Sequence, residues 1–157
     1  MNTQHKPTYI SLFSSAGVGC YGFKMAGFDC IATNELLERR LNIQRYNQKC
    51  KYPSGYICGD ITQEQTKKLL YDQLELWKAK EHLSRVDVVI ATPPCQACPL
   101  QTRKDRHGDR PEFSGVESIK INPKINRAFL SFENVPALYE NGLYRFGRTN
   151  KSIADAI

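Results

Sequence analysis

The chain has 157 residues, of which 41 % are hydrophobic and 24 % charged, so it suits one globular domain and excludes disorder and collagen-like repeats. Lys and Arg number 22 against 16 Asp and Glu, a net charge of +6 that favours anionic partners, nucleic acid first. The longest aliphatic run, Val88-Val89-Ile90-Ala91, is far short of the roughly 20 residues a membrane-spanning helix needs. Six cysteines are too few for a disulfide-stapled secreted domain, and no apolar signal segment opens the chain. A reduced, cytoplasmic protein is expected.

Short apolar runs alternate with stretches of helical period. Residues 9–13 read as a strand, and Gly17 opens a turn into a helix that Gly27 stops. Residues 30–32 form a second short strand, followed by a helix from 36 to about 46. A third, weaker strand spans 56–58. From 63 to 83, Leu70, Leu74 and Trp77 recur at i, i+4, i+7 beside Leu69 and Leu76, which makes an amphipathic helix with these side chains in the core. Residues 86–91 are a β-branched run ended by Pro93-Pro94, the clearest buried strand, and 128–132 are the last strand. Strands alternating with helices imply an α/β fold with a mostly parallel sheet and helices on both faces. Ligands in such a fold bind beyond the carboxyl ends of the strands.

Each strand is followed there by chemistry-bearing residues. After the first stands Gly17-Val18-Gly19-Cys20-Tyr21-Gly22, a G-x-G-x-x-G whose glycines permit close approach of a nucleotide. After the second stand Asn34 and Glu35, about 20 residues on, where a carboxylate can hold ribose hydroxyls or simply cap its helix. Gly59-Asp60-Ile61 follows the third. Thr92-Pro93-Pro94-Cys95-Gln96 follows the fourth, with Cys95 a candidate nucleophile, and Glu133-Asn134-Val135-Pro136 follows the fifth, with Glu133 a candidate acid.

Blander readings stand beside these. Cys95 and Cys98 form a C-x-x-C without a thioredoxin-like context, and as half of a zinc site they have only His107 nearby. Cys20, Cys30, Cys50 and Cys58 read as packing residues. Arg39, Arg40, Arg45, Lys49 and Lys51 read as a solvated face. Residues 101–110, with four cations and two acids, form a polar loop able to close over a substrate and touch phosphates.

Together these residues resemble the DNA cytosine-5 methyltransferase family of bacterial restriction–modification systems. The segment 12–17 is similar to its first motif, Asn34-Glu35 to its second and Gly59-Asp60-Ile61 to its third. Pro93-Pro94-Cys95-Gln96 matches its catalytic motif and Glu133-Asn134-Val135 its glutamate motif. The resemblance implies a Rossmann-like methyltransferase domain over 1–157 and S-adenosylmethionine as cofactor. Phe13, Gly17 and Gly19 would cradle it, Glu35 would take its ribose, and Leu36, Asp60, Ile61 and Pro93 would surround its adenine and methionine parts. Pro94, Gln96, Asn134 and Val135 would support a cytosine flipped out of duplex DNA. Cys95 would add to C6 while Glu133 contacts N3, and C5 would then accept the methyl group. No metal is implied.

The chain departs from the family pattern in places. Ser15 and Val18 stand where glycine is usual, and Leu36 stands where an aromatic is often found. Ala97-Cys98-Pro99 is unusual after the catalytic motif, and Asp109-Arg110 is a loose match to an acidic–arginine element. No Gln-x-Arg-x-Arg segment and no target-recognition region are recognised, and the chain stops at 152–157 as if within a helix. The expectation is therefore a fold incomplete at its C-terminus, with an unpaired apolar sheet edge, and a second polypeptide as possible partner. Two other readings remain: a non-catalytic remnant that binds DNA or a partner chain, and, on the glycine string alone, a NAD-dependent oxidoreductase.

Overall fold

A computed structural model describes residues 6–94, 120–121 and 124–133, together with the backbone of 143–146 and 149–152. Five parallel strands form one sheet: β1 (Thr8–Leu12), β2 (Asp29–Glu35), β3 (Tyr56–Cys58), β4 (Val86–Ala91) and β5 (Arg127–Phe132). Their order is β3-β2-β1-β4-β5. The chain therefore winds outward from β1 in one direction through β3, then returns to add β4 and β5 on the other side. The crevice at that reversal, beyond the carboxyl ends of β1 and β4, is where such sheets bind ligands.

All five residues of β1 are buried, as a central strand covered on both faces requires. Alternate side chains feed two separate cores. Ile10 and Leu12 meet Ile31, Ile57 and Val89 on the face covered by α3 (Glu64–Glu81), whose Leu70, Leu74 and Trp77 complete the cluster. Tyr9 on the other face packs with Cys20, Cys30 and Phe23 of α1 (Tyr21–Met25). The third helix, α2 (Glu38–Tyr46), lies on that same side over β2 and β3. Helices thus cover both faces. Leu69 is exposed rather than core, because it projects from the outer side of α3.

Helix ends follow local chemistry. Gly27 takes a left-handed φ of 84°, and the Gly27 and Phe28 amides bond back to Lys24 and Phe23, which closes α1 as expected. At the far end of α3, His82 adopts φ 53° and caps onto Trp77 O, so the helix stops two residues before the expected 83. No helix among the described residues is long and apolar enough to cross a membrane.

Three expectations are corrected. The strand 128–132 is not the last: β6 (Leu143–Phe146) and β7 (Thr149–Ser152) pair antiparallel in a second, two-stranded sheet. Two residues, 147 and 148, separate them along the chain. Ser152 consequently ends a strand instead of belonging to a helix, and 153–157 lie outside the described residues. Cys58 is exposed, because it is the last residue of β3 and its thiol faces Leu36 O at 3.5 Å at the sheet edge. Among the described residues β5 pairs with β4 alone, and Phe129 on it is 70 % exposed.

Candidate active site

The ends of the five strands are stitched into one rim. Phe13 follows β1 at φ 57°, a conformation that costs an L-residue about 1–2 kcal/mol. It is held there from β4, since Thr92 donates its amide to Leu12 O and its hydroxyl to Phe13 O at 3.2 Å. The Ser14 amide and hydroxyl both donate to Asn34 O, which ties the β1 turn to the end of β2. Asn34 Nδ2 in turn donates to Ile57 O and Gly59 O, and the Gly59 amide donates to Glu35 O. Gly59 has φ 146°, and a Cβ there would sit 2.6 Å from Thr66 Oγ1, so no side chain fits. On the other flank the Glu133 amide donates to Ala91 O at 3.0 Å. Turns after all five strands therefore share one continuous hydrogen-bonded edge.

Glu35 is the central acid of this rim. Its carboxylate is buried yet accepts three bonds: from the Ser15 amide at 2.8 Å, the Leu37 amide at 3.1 Å and Arg40 at 3.2 Å. An ionised carboxylate offers about four lone-pair sites, which leaves one for a ligand hydroxyl. The carboxylate is 5 % exposed and Arg40 43 % exposed, so the guanidinium is the partner with freedom to yield. Glu35 also steadies the start of α2 through Leu37, so ligand-binding and capping roles coexist in one side chain.

The other expected cofactor residues divide by exposure. Leu36 is 63 % exposed on the rim, and Asp60 is exposed with Oδ1 accepting the Thr62 amide at 2.9 Å. Ile61 is 1 % exposed, its side chain in the core with Ile31 and Ile57. Gly17 has φ 86°, and a Cβ on it would approach Gln44 Cγ to 3.0 Å; Gly19, in the short 3-10 turn Val18–Cys20, meets nothing. Pro93 is buried and Pro94 exposed. Cys95, Gln96, Asn134 and Val135, with the C-x-x-C and the 101–110 loop, lie outside the described residues. What is described brings Pro94, which leads directly into Cys95, and Glu133 to the same edge on adjacent strands. Cys58 shares that edge, but desolvation and then the Glu38 carboxylate raise its pKa, so it stays a thiol and is no rival nucleophile.

A cavity of about 240 Å³ opens elsewhere, behind the glycine turn between α1 and α2, walled by Tyr9, Val18, Cys20 and Ile43. Of the expected cofactor residues only Gly17 lines it, and Glu35, Leu36, Asp60, Ile61 and Pro93 do not.

Ser15 stands at φ 50°, where glycine is at ease. Ser15→Gly is expected to raise stability by about 0.5 kcal/mol, as relief of left-handed strain exceeds the freedom regained by the unfolded chain. Thermal unfolding checks this as a Tm rise of about 1–2 °C. A lower Tm contradicts it.

The sequence model of the C-5 cytosine-specific DNA methylase matches residues 8–156. The chain belongs to that family. Among curated methylases it is 31 % identical over 140 residues to the Type II methyltransferase M1.HgaI of Avibacterium volantium, covering 86 % of this chain and 36 % of that one. To M.NmeDI of Neisseria meningitidis serogroup C it is 29 % identical, covering 97 % and 38 %. To M.AquIA of Picosynechococcus it is 30 % identical, covering 82 % and 48 %. The chain thus spans between about a third and a half of the length of these methylases. The family match covers every rim turn described above, from β1 to β5.

Sequence reasoning missed several residues that shape this rim. The basic stretch is not a bare solvated face: Arg40 bonds Glu35, Arg45 pairs with Glu38, Lys51 with Glu81, and Lys49 reaches Thr33. Gln44, on the same helix, is buried against the glycine turn. No local signal marks it except its place three residues after the buried Leu41.

Proposed function

We propose that the protein transfers a methyl group from S-adenosylmethionine to C5 of cytosine in duplex DNA, with this chain holding the cofactor and the reacting base. The observation that carries the proposal is the convergence of Phe13, Glu35, Asp60, Pro94 and Glu133 on one sheet edge at the topological reversal, in the chain order of the methylase motifs.

The residues present fit the cofactor. The left-handed Gly17 and the bare Gly19 let backbone approach it, beside the aromatic ring of Phe13. Glu35 retains an acceptor for a ribose hydroxyl, while exposed Leu36, Asp60 and the Ile61 backbone stand where the adenine would lie. S-adenosylmethionine supplies an electrophilic methyl group on a sulfonium. The chain's own residues prepare its acceptor. The target cytosine leaves the base stack, since C5 and C6 are out of reach within it. The Cys95 thiolate adds to C6, and Glu133, holding a proton at N3, stabilises the negative charge this addition places on the ring. C5, made nucleophilic by this addition, would take the methyl group, the electron pair of the broken sulfur–methyl bond staying on sulfur; loss of the C5 proton to water then re-forms the C5–C6 double bond and expels Cys95 as thiolate. A thiolate both attacks and leaves readily, which a serine alkoxide does not. Pro94, Gln96, Asn134 and Val135 support this arrangement, and a second polypeptide carrying a target-recognition region is the proposed partner for choosing the DNA sequence.

The test is methyl transfer from labelled S-adenosylmethionine to cytosine-containing duplex DNA. Cys95→Ala is expected to reduce transfer at least about 1000-fold, as removal of a covalent nucleophile does elsewhere. Undiminished transfer in Cys95→Ala contradicts the mechanism. Tight DNA binding without transfer by the unaltered protein, even with a complementing methylase half, favours the non-catalytic reading instead.

A further inference from the structure

We infer that Gln44 is a positioning residue that sets the turn after β1 in the conformation the cofactor needs; the inference rests on the methyltransferase reading above. Gln44 is 1 % exposed in the last turn of α2, and full burial is unusual for a primary amide. Its polar atoms are all engaged. Nε2 donates to Ser14 Oγ at 2.9 Å and to Ser15 O at 2.6 Å, while Oε1 accepts from Thr33 Oγ1 at 2.8 Å.

The direction of each bond is fixed by its neighbours. Lys49 Nζ donates to Thr33 Oγ1 at 3.2 Å, so the Thr33 hydroxyl turns its proton to Gln44. That makes Oε1 the acceptor and leaves both N–H groups for the turn. Ser14 Oγ, accepting from Gln44, passes its own proton to Asn34 O. A one-way chain therefore runs from Lys49 through Thr33 and Gln44 into Ser14 and the end of β2.

Its effect falls on Ser15. That residue stands at φ 50° with its amide on Glu35 and its carbonyl on Gln44, so the peptides on either side are gripped from opposite directions. The Gln44 stem also supports Gly17, with Cγ 3.0 Å from where a Cβ would be. Serine where glycine would take this conformation freely needs such a clamp. Gln44 thus holds Ser15 in its left-handed conformation and links α2 to the cofactor turn without touching the cofactor itself.

The test compares Gln44→Met and Thr33→Val with Leu74→Ala, a core change on α3 against the opposite face of the sheet. Gln44→Met is expected to raise the calorimetric Kd for S-adenosylmethionine at least tenfold, and Thr33→Val about threefold. Leu74→Ala is expected to lower Tm by as much or more and leave Kd unchanged. Amide hydrogen exchange gives a readout that needs no ligand: Gln44→Met accelerates exchange at Ser15 and Gly17 at least tenfold and leaves the α3 amides as they were. If the unaltered chain binds S-adenosylmethionine and Gln44→Met binds it equally well, or if Ser15 and Gly17 exchange at the unaltered rate, the inference is overturned. If the unaltered chain fails to bind, the methyltransferase reading fails first, and exchange alone decides whether Gln44 holds the turn.

Discussion

Replacing Glu35 by alanine is expected to weaken S-adenosylmethionine binding at least about 100-fold, or about 2.7 kcal/mol. Two losses add. The cofactor loses the ribose acceptor proposed for it, and the Ser15 amide, the Leu37 amide and Arg40 lose the carboxylate on which they converge. Unpaired buried donors cost about 1–3 kcal/mol each where water does not reach them, and Arg40 is free to turn to solvent, so a stability loss of about 2–3 kcal/mol accompanies the binding defect. Glu35→Gln separates the two. Its amide oxygen keeps one side of the network while its N–H2 faces a donor, so an intermediate, about tenfold, loss of affinity is expected. Calorimetry and urea unfolding on the same samples measure both. Full affinity in a destabilised Glu35→Ala shows the carboxylate to be only a brace for α2.

Trp77→Ala is expected to be the most destabilising single change, at about 3–5 kcal/mol in urea unfolding. The indole is buried between α3 and the sheet, with Tyr52 edge-on at 5.7 Å between ring centroids and Lys51 Nζ 5.6 Å from the ring. Removing it opens a cavity beneath Ile31 and Ile57, the strands whose ends carry Glu35 and Asp60. Trp77→Phe is expected to cost far less, about 1 kcal/mol. Its smaller ring leaves a gap, but it also removes an indole N–H that is buried without an acceptor among the described residues, which offsets part of the loss. If Phe proves as damaging as Ala, lost packing volume does not account for the effect and this reading of Trp77 is wrong.

How far the fold could be read from the sequence depended on where each segment's polar groups find partners. β3 and β4 agree with expectation to the residue, because β-branched and aromatic runs bounded by Gly or Pro carry their own signal. β2 was expected over 30–32 and runs to Glu35, since Thr33, Asn34 and Glu35 are polar yet buried. Their burial is balanced by Gln44, by the carbonyls of Ile57 and Gly59, and by Ser15, partners 10 or more residues away along the chain that a local window does not contain. The helix expected from 36 starts at Glu38 for the same reason, as Glu35 captures the Leu37 amide before the helical ladder begins. The hairpin of β6 and β7 was missed although Leu143-Tyr144-Arg145-Phe146 before Gly147-Arg148 carries a strand-and-turn pattern. At the site, the residues bearing chemistry were legible because they directly follow strands, which is where this topology gathers them. Gln44, Thr33, Arg40 and Lys49 were not, because their roles exist only after α2 has packed against the turn.

The most direct measurement is calorimetric titration of the 157-residue chain with S-adenosylmethionine, with NAD titrated in parallel under the same conditions. Binding of S-adenosylmethionine at a single site, with no heat from NAD, is the expected result, and it places the crevice beyond β1 and β4 among methyl-donor sites. Binding of NAD with equal or greater affinity, or of neither ligand, contradicts the claim that this rim is built for S-adenosylmethionine.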